Sequence, residues 1–245
     1  MPARPDINQY FDIARRYGLP PVPEGVSRLT QLVARQDCCV EEIVRVIQKD
    51  PALSDRLLRV ANPRAVNKSE YTIETVEEAL MRNGLGCALL LAMGTPLSLA
   101  LVKTFQTMLS LKLESVDPRQ IEGIVGSHMR CGIGFSGRVT GHVYLRMSQL
   151  SARTIAAAIL GLKPEELNDN DEIRDAAGEL LNIMTGNFKS ILCDAGLNCK
   201  LEPPKVGMTD DCTTPLEPGV GLERLAFRAG NIEIFVEVTA NPWAE

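Results

Sequence analysis

Histidine is almost absent from this chain: His128 and His142 are the only two among 245 residues. The seven cysteines are odd in number, irregularly spaced and without a C-x-x-C pair. Zinc sites need four soft ligands, usually delivered in short paired spacings, so a resident zinc cluster is excluded. A basic excess is missing too. The sequence has 26 Lys+Arg against 31 Asp+Glu, a net charge of −5. Split at Pro96, residues 1–96 carry 12 basic and 12 acidic side chains, and residues 97–245 carry 14 and 19. Neither half supplies the positive field that binding to nucleic acid phosphates requires, so nucleic acid is set aside as a partner. The start, Met-Pro-Ala-Arg-Pro-Asp, lacks the apolar core of a secretory signal. The most lipid-like stretch, 88–102, is short for a span and is interrupted by Gly94-Thr95-Pro96. The expectation is a cytoplasmic protein with no membrane contact, its thiols scattered and reduced.

What is present falls into two halves of different period. At 45% apolar and 23% charged residues, the composition is that of an ordinary globular chain. Residues 1–96 read as helices. Ile43, Val44, Val46 and Ile47 follow the acidic pair Glu41-Glu42, Asp50-Pro51 looks like an N-cap with proline in the first turn, and Asn62-Pro63 stops the next stripe. A helix over 73–80 has Thr72 or Thr75 as caps and closes at Asn83-Gly84. Another runs from Leu85 toward Gly94, and a separate one over 97–113 places Leu97, Leu101, Phe105 and Leu109 at i, i+4. Beyond Asp117-Pro118 the period becomes two: Val139, Gly141, Val143 and Leu145 alternate with polar neighbours, with Ser136-Gly137 as the hairpin turn. Helices over 151–160 and 171–195 follow, ending at Gly161 and Gly196. A terminal hairpin turns at Ala229-Gly230-Asn231. The expected fold class is α+β: an all-helical module at 1–96, then an α+β domain at 97–245 with an antiparallel sheet and long helices.

The segment 171–192 carries the chemistry. Ile173, Ala177, Leu180, Leu181, Met184, Phe188 and Ile191 fall on one helical stripe. Glu172, Asp175, Glu179, Asn182, Gly186 and Lys189 fall on the opposite one. Glu179 and Asn182 are therefore neighbours on one exposed face. Gly178 and Gly186 flank them, each costing about 1 kcal/mol against Ala in a helix interior and each removing bulk where another backbone could approach. Neither Glu179 nor Asn182 is a nucleophile in this setting, and no histidine lies in the helix to serve as a base. A primary amide can hold a water by donating to it and accepting from it, while a carboxylate docks a cation beside it. Such a pair suits a reaction whose partner brings the metal and the electrophile. From periodicity alone, an ordinary solvated helix face is the better description, since a carboxylate and a carboxamide one turn apart are too common to specify a reaction.

The stretch Asp175-Ala-Ala-Gly-Glu-Leu-Leu-Asn182, with Pro203-Pro204 about twenty residues on, resembles the signature of the CheX/CheC/FliY chemotaxis phosphatases. That pattern is Asp or Ser, three residues, Glu, two residues, Asn, then a proline. The resemblance covers about 97–245, and the single motif copy is CheX-like. It implies a substrate: the phosphoaspartate of a CheY-like response-regulator receiver domain, which carries its own Mg²⁺ and lysine. It also implies roles. Asn182 and Glu179 are the catalytic residues, Asn182 orienting the attacking water and Glu179 contacting the receiver lysine. Asp175, Gly178 and Gly186 form the docking surface. No cofactor is expected in this chain, and a homodimer through the second half is expected.

The first half is similar to another family. Leu19-Pro-Pro-Val-Pro23, with 49–62 (Lys-Asp-Pro-Ala-Leu-Ser-Asp-Arg-Leu-Leu-Arg-Val-Ala-Asn), resembles the start of an HDOD domain, a helical relative of HD phosphohydrolases without their metal ligands. The match, about 18–91, looks truncated and implies an adaptor or regulatory module. That fusion motivates a competing expectation: a non-catalytic scaffold that binds receivers without hydrolysing them.

Overall fold

The structure is a computed structural model that describes residues 24–33, 35, 39–62, 72–83, 85–121, 124, 126–137, 139–167, 169–194, 197–211, 214 and 221–242. The segment Leu19–Pro23, the stop signals at Pro63, Gly84 and Gly196, and Cys38 and Cys212 lie outside the described residues.

Short amphipathic helices come first: α1 (Glu24–Val33), α2 (Val40–Gln48), α3 (Pro51–Ala61) and α4 (Val76–Asn83). Their starts obey local chemistry. The Asp50 carboxylate accepts from the backbone N–H groups of Ala52 (3.0 Å) and Leu53 (3.2 Å), with Pro51 behind it. The Thr75 hydroxyl accepts from the Glu78 N–H at 3.1 Å, so α4 starts at Val76, later than the expected 73. The Asn62 side chain donates to the carbonyls of Leu58 and Ile73 and accepts the Ile73 N–H, tying the end of α3 to the approach to α4.

α5 (Leu85–Leu109) corrects the sequence expectation: the two helices expected on either side of Gly94-Thr95-Pro96 are one. Proline in a helix interior costs about 3 kcal/mol by removing one hydrogen bond and crowding the preceding turn. Burial on all sides offsets that cost. Leu90, Leu91, Ala92, Met93, Leu97, Ala100 and Leu101 are all inaccessible to solvent, because α5 packs against α1, α3 and α4, against the sheet, and against the long helix that follows. A helix apolar all round is a central helix. The expected boundary at Pro96 thus falls inside α5.

The sheet contains β1 (Glu114–Val116), β2 (His128–Gly137), β3 (Val139–Ser148), β4 (Cys199–Leu201), β5 (Lys205–Thr209), β6 (Gly221–Ala229) and β7 (Ile232–Pro242). All pairings are antiparallel in the order β1-β6-β7-β3-β2-β4, with β5 also lying on β2. β1 had no expectation, being too short to show alternation. β2 runs through Ser136 and Gly137, so the hairpin reverses later than the expected turn. α6 (Gln149–Leu160), capped by the Ser148 hydroxyl and ended by left-handed Gly161, precedes α7 (Asn170–Asp194). The fold is α+β. One face of the sheet buries Ile133, Phe135, Val143, Leu145, Ile234, Val236 and Val238 against α5, α6 and α7, in a core continuous with that of the N-terminal helices. The other face carries His128, Arg130, His142, Tyr144, Arg146 and Glu237, alternate positions along the same strands.

Candidate functional site

α7 orients as its two stripes dictate. Ile173, Ala177, Leu180, Leu181, Met184 and Phe188 are buried, while Glu172, Asp175, Glu179 and Asn182 are exposed. Inner contacts fix the roll of the helix. The Thr185 hydroxyl donates to the Leu181 carbonyl at 2.7 Å, Asn187 Nδ2 donates to Thr104 Oγ1 of α5 at 3.1 Å, and the Phe188 ring meets Phe135 edge-on. Among the described residues, no hydrogen bond or ion pair engages the side chains of Asp175, Glu179 or Asn182. The carboxamide and carboxylate stand one turn apart, free in solvent, with their full bonding capacity unused.

The two glycines part company. A Cβ on Gly178 would come within 3.3 Å of Val206 Cγ2 on β5, so the chain's own strand fills the room this glycine leaves. Nothing stands within 4 Å of the corresponding position at Gly186. Pro203-Pro204 forms the exposed link between β4 and β5, where proline's missing donor bends one strand into two along β2. The motif helix and the Pro-Pro strand are thus packed side by side.

Two of the free thiols, Cys131 and Cys199, are buried. Burial pushes the Cys131 thiol up to about 12 and, with the nearby Cys193 adding to it, the Cys199 thiol up to about 11, so neither offers a thiolate near neutral pH. Among the described residues, no group of three or more His, Cys, Asp or Glu side chains could hold a metal ion, and no helix is long and apolar enough to cross a membrane.

Two polar constellations were not anticipated from sequence. Arg146 and Glu237 are buried on the outer face, with Arg146 Nε donating to Glu237 Oε2 at 2.9 Å. Arg146 also donates to the Asp211 carbonyl and the Thr214 hydroxyl, both at 3.0 Å, and Arg224 reaches the other Glu237 oxygen from Nε at 2.6 Å. Arginine only donates, so His128 Nε2, 3.0 Å from Arg146 Nη1, must accept, leaving Nδ1–H to donate to the Gly126 carbonyl at 2.9 Å. His128 is therefore a fully buried neutral side chain. The second constellation joins the two halves. Arg56 of α3 donates from Nε to Glu223 Oε1 of β6 at 2.6 Å and from Nη2 to the Leu91 carbonyl at 3.1 Å. Glu223 is buried and its Oε2 accepts no hydrogen bond. A Cβ on Gly94 would collide with this carboxylate, which accounts for a glycine in mid-helix. The only sequence signal for either constellation was a charge amid strand alternation, and the partners lie too far along the chain to be matched without the register.

Comparisons with known proteins agree with this architecture. Residues 129–220 match the family described as chemotaxis phosphatase CheX, and residues 19–116 match the HDOD domain. The chemotaxis protein CheX of Vibrio vulnificus superposes with a TM-score of 0.53 at 25% identity, covering 61% of this chain and 96% of that one. CheX of Desulfovibrio desulfuricans gives 0.53 at 20% identity, covering 61% and 99%. The CheX–CheY–BeF₃–Mg²⁺ complex of Borrelia burgdorferi gives 0.51 at 18% identity, covering 61% and 97%. No curated protein matches the chain. The fold is an antiparallel sheet backed by long helices, and in this chain the exposed face of α7 carries the polar pair. The chain carries a CheX-like domain of that fold, preceded by an HDOD-type helical region that extends past the 18–91 span expected for it.

Proposed function

We propose that this protein is a cytoplasmic phosphatase acting on the phosphoaspartate of a CheY-like receiver domain. The observation that carries the reading is the free Glu179–Asn182 pair on α7, within a domain matching CheX. Asn182 would enter the receiver's site, donating through Nδ2 and accepting through Oδ1 to hold a water in line with phosphorus. Glu179 would pair with the receiver lysine, fixing the approach, and Asp175 and Gly186 would line the docking face. Receiver-bound Mg²⁺ would supply charge neutralisation, and the reading asks for no cofactor in this chain. Phosphoryl transfer needs positioning and charge stabilisation more than covalent help, so one placed amide is enough. The crystallised Borrelia pairing of a CheX with CheY, BeF₃ and Mg²⁺ supports a receiver as partner. A homodimer through the second half belongs to the same reading, and sedimentation at micromolar concentration tests it.

The HDOD-type helices packed on the sheet favour one alternative, a receiver-binding scaffold that leaves the acyl phosphate intact. Phosphate release from a phosphorylated receiver separates the two. A phosphatase shortens the phosphoryl half-life at substoichiometric amounts. A scaffold binds the receiver and leaves that half-life where it was.

A further inference from the structure

We propose that the trough on the outer face of the sheet is a binding site for a nucleoside phosphate. It lies on the face turned away from α7 and encloses about 350 Å³, within the range of small-molecule sites. Gly207 leaves part of its floor as bare backbone, while the Tyr144 ring lies over Gly132 and the Glu202 carboxylate over Gly134. Tyr144 and His142 of β3 wall one side, and Glu202, Lys205 and Thr209 the other. The register sets its layers: Lys205, Gly132 and Tyr144 lie abreast on β5, β2 and β3, Arg130 is one pleat away in one direction, and Gly134 with His142 one pleat away in the other.

The key observation is an imbalance of charge. Arg130 is half-buried and Lys205 exposed, yet among the described residues no carboxylate pairs with either. A guanidinium withdrawn from water without a counter-ion is costly unless an anion completes it. The Tyr144 hydroxyl, held above its ordinary pKa chiefly by desolvation with Arg130 pulling it down, is a third donor at that end. Packing of Tyr144 over Gly132 accounts for the ring but leaves the bare arginine unexplained.

The other end asks for something different. Glu202 arches over Gly134, where a Cβ would come within 2.6 Å of its carboxylate, so its oxygens face the trough as acceptors. Beside it the His142 ring is exposed and lies parallel to Tyr144, with centroids 5.7 Å apart and planes 10° apart, presenting a flat outer face. From Arg130 to Gly134 the strand advances about 13 Å, a span that a lone phosphate does not bridge. A nucleoside phosphate matches the sequence of groups: phosphate on Arg130, Lys205 and the tyrosine hydroxyl, sugar hydroxyls donating to Glu202, and base against His142. Acidic residues on ribose hydroxyls and bases on aromatic faces are established recognition chemistry.

The test is titration of the full-length protein with adenosine 5′-monophosphate and guanosine 5′-monophosphate, with adenosine and inorganic phosphate as partial ligands, by calorimetry and amide chemical shifts. The expected result is that a nucleotide binds more tightly than either fragment, with shifts at Arg130, Gly132, Tyr144 and Lys205. Arg130→Gln and Lys205→Gln should each weaken binding about tenfold, while Lys163→Gln leaves it unchanged. Lys205 is exposed, so its variant keeps the test alive if Arg130→Gln fails to fold. Three results would overturn the proposal: no nucleotide binding at millimolar concentration, inorganic phosphate or adenosine binding as tightly as the nucleotides, or affinity indifferent to both substitutions. Because the readout is direct binding, it stands apart from the phosphatase reading, and either can fail alone.

Discussion

Asn182 and Glu179 are exposed side chains that do nothing for their own fold. Replacing either therefore moves stability by no more than about 0.5 kcal/mol, which a thermal melt verifies. His128 is the opposite case. Its ring is held between a donor-only guanidinium and a backbone carbonyl, so the neutral Nδ1–H tautomer is expected; ring nitrogen shifts showing a protonated Nε2 at neutral pH would contradict that geometry. Arg146 shows what such placement costs. Arg146→Met strands the buried Glu237 carboxylate with one cation fewer and should cost about 3–5 kcal/mol in chemical denaturation. The stripe that presents Asn182 was legible because helical spacing is local. The tautomer was not, because it depends on Arg146, a strand away.

At the scale of elements, α7 and α5 teach different lessons. Most inward positions of α7 followed from spacing, since a one-sided helix writes its orientation into its sequence; Ala176, Thr185 and Leu192 are buried beyond the expected stripe, and Ile191, placed on it, is half-buried. α5 hid its continuity. Gly94 and Pro96 read locally as a break, yet the helix persists because partners surround it. Gly186 offers a clean test at this scale. With nothing within 4 Å to obstruct a methyl group, Gly186→Ala should stabilise the protein by about 0.5–1 kcal/mol through helix propensity. If the open space serves receiver docking, the same change weakens receiver binding while the melting temperature rises.

At the scale of the molecule, the two halves share one core and one buried ion pair. Arg56 and Glu223 are 167 positions apart, and no local pattern could have matched them. Burial raises the Glu223 pKa above its ordinary value, with Arg56 opposing the rise. A carboxyl with a raised folded pKa binds its proton more tightly in the native state. Its contribution to stability is therefore largest below the unfolded value of 4.5 and is lost as pH rises through the folded one. Arg56→Met removes the opposing cation, so it should cost about 3–5 kcal/mol near neutral pH and progressively less on acidification, as Glu223 takes up its proton. Denaturation curves at neutral and mildly acidic pH check this, and a pH-independent penalty would mean the pair does not carry the junction.

The measurement that bears most directly on the central claim is the lifetime of a receiver's acyl phosphate with catalytic amounts of wild-type protein and of Asn182→Ala, in the presence of Mg²⁺. The account predicts rapid loss with the wild type and a rate about 100-fold slower with the variant, with receiver binding retained. Equal rates for the two proteins would contradict it.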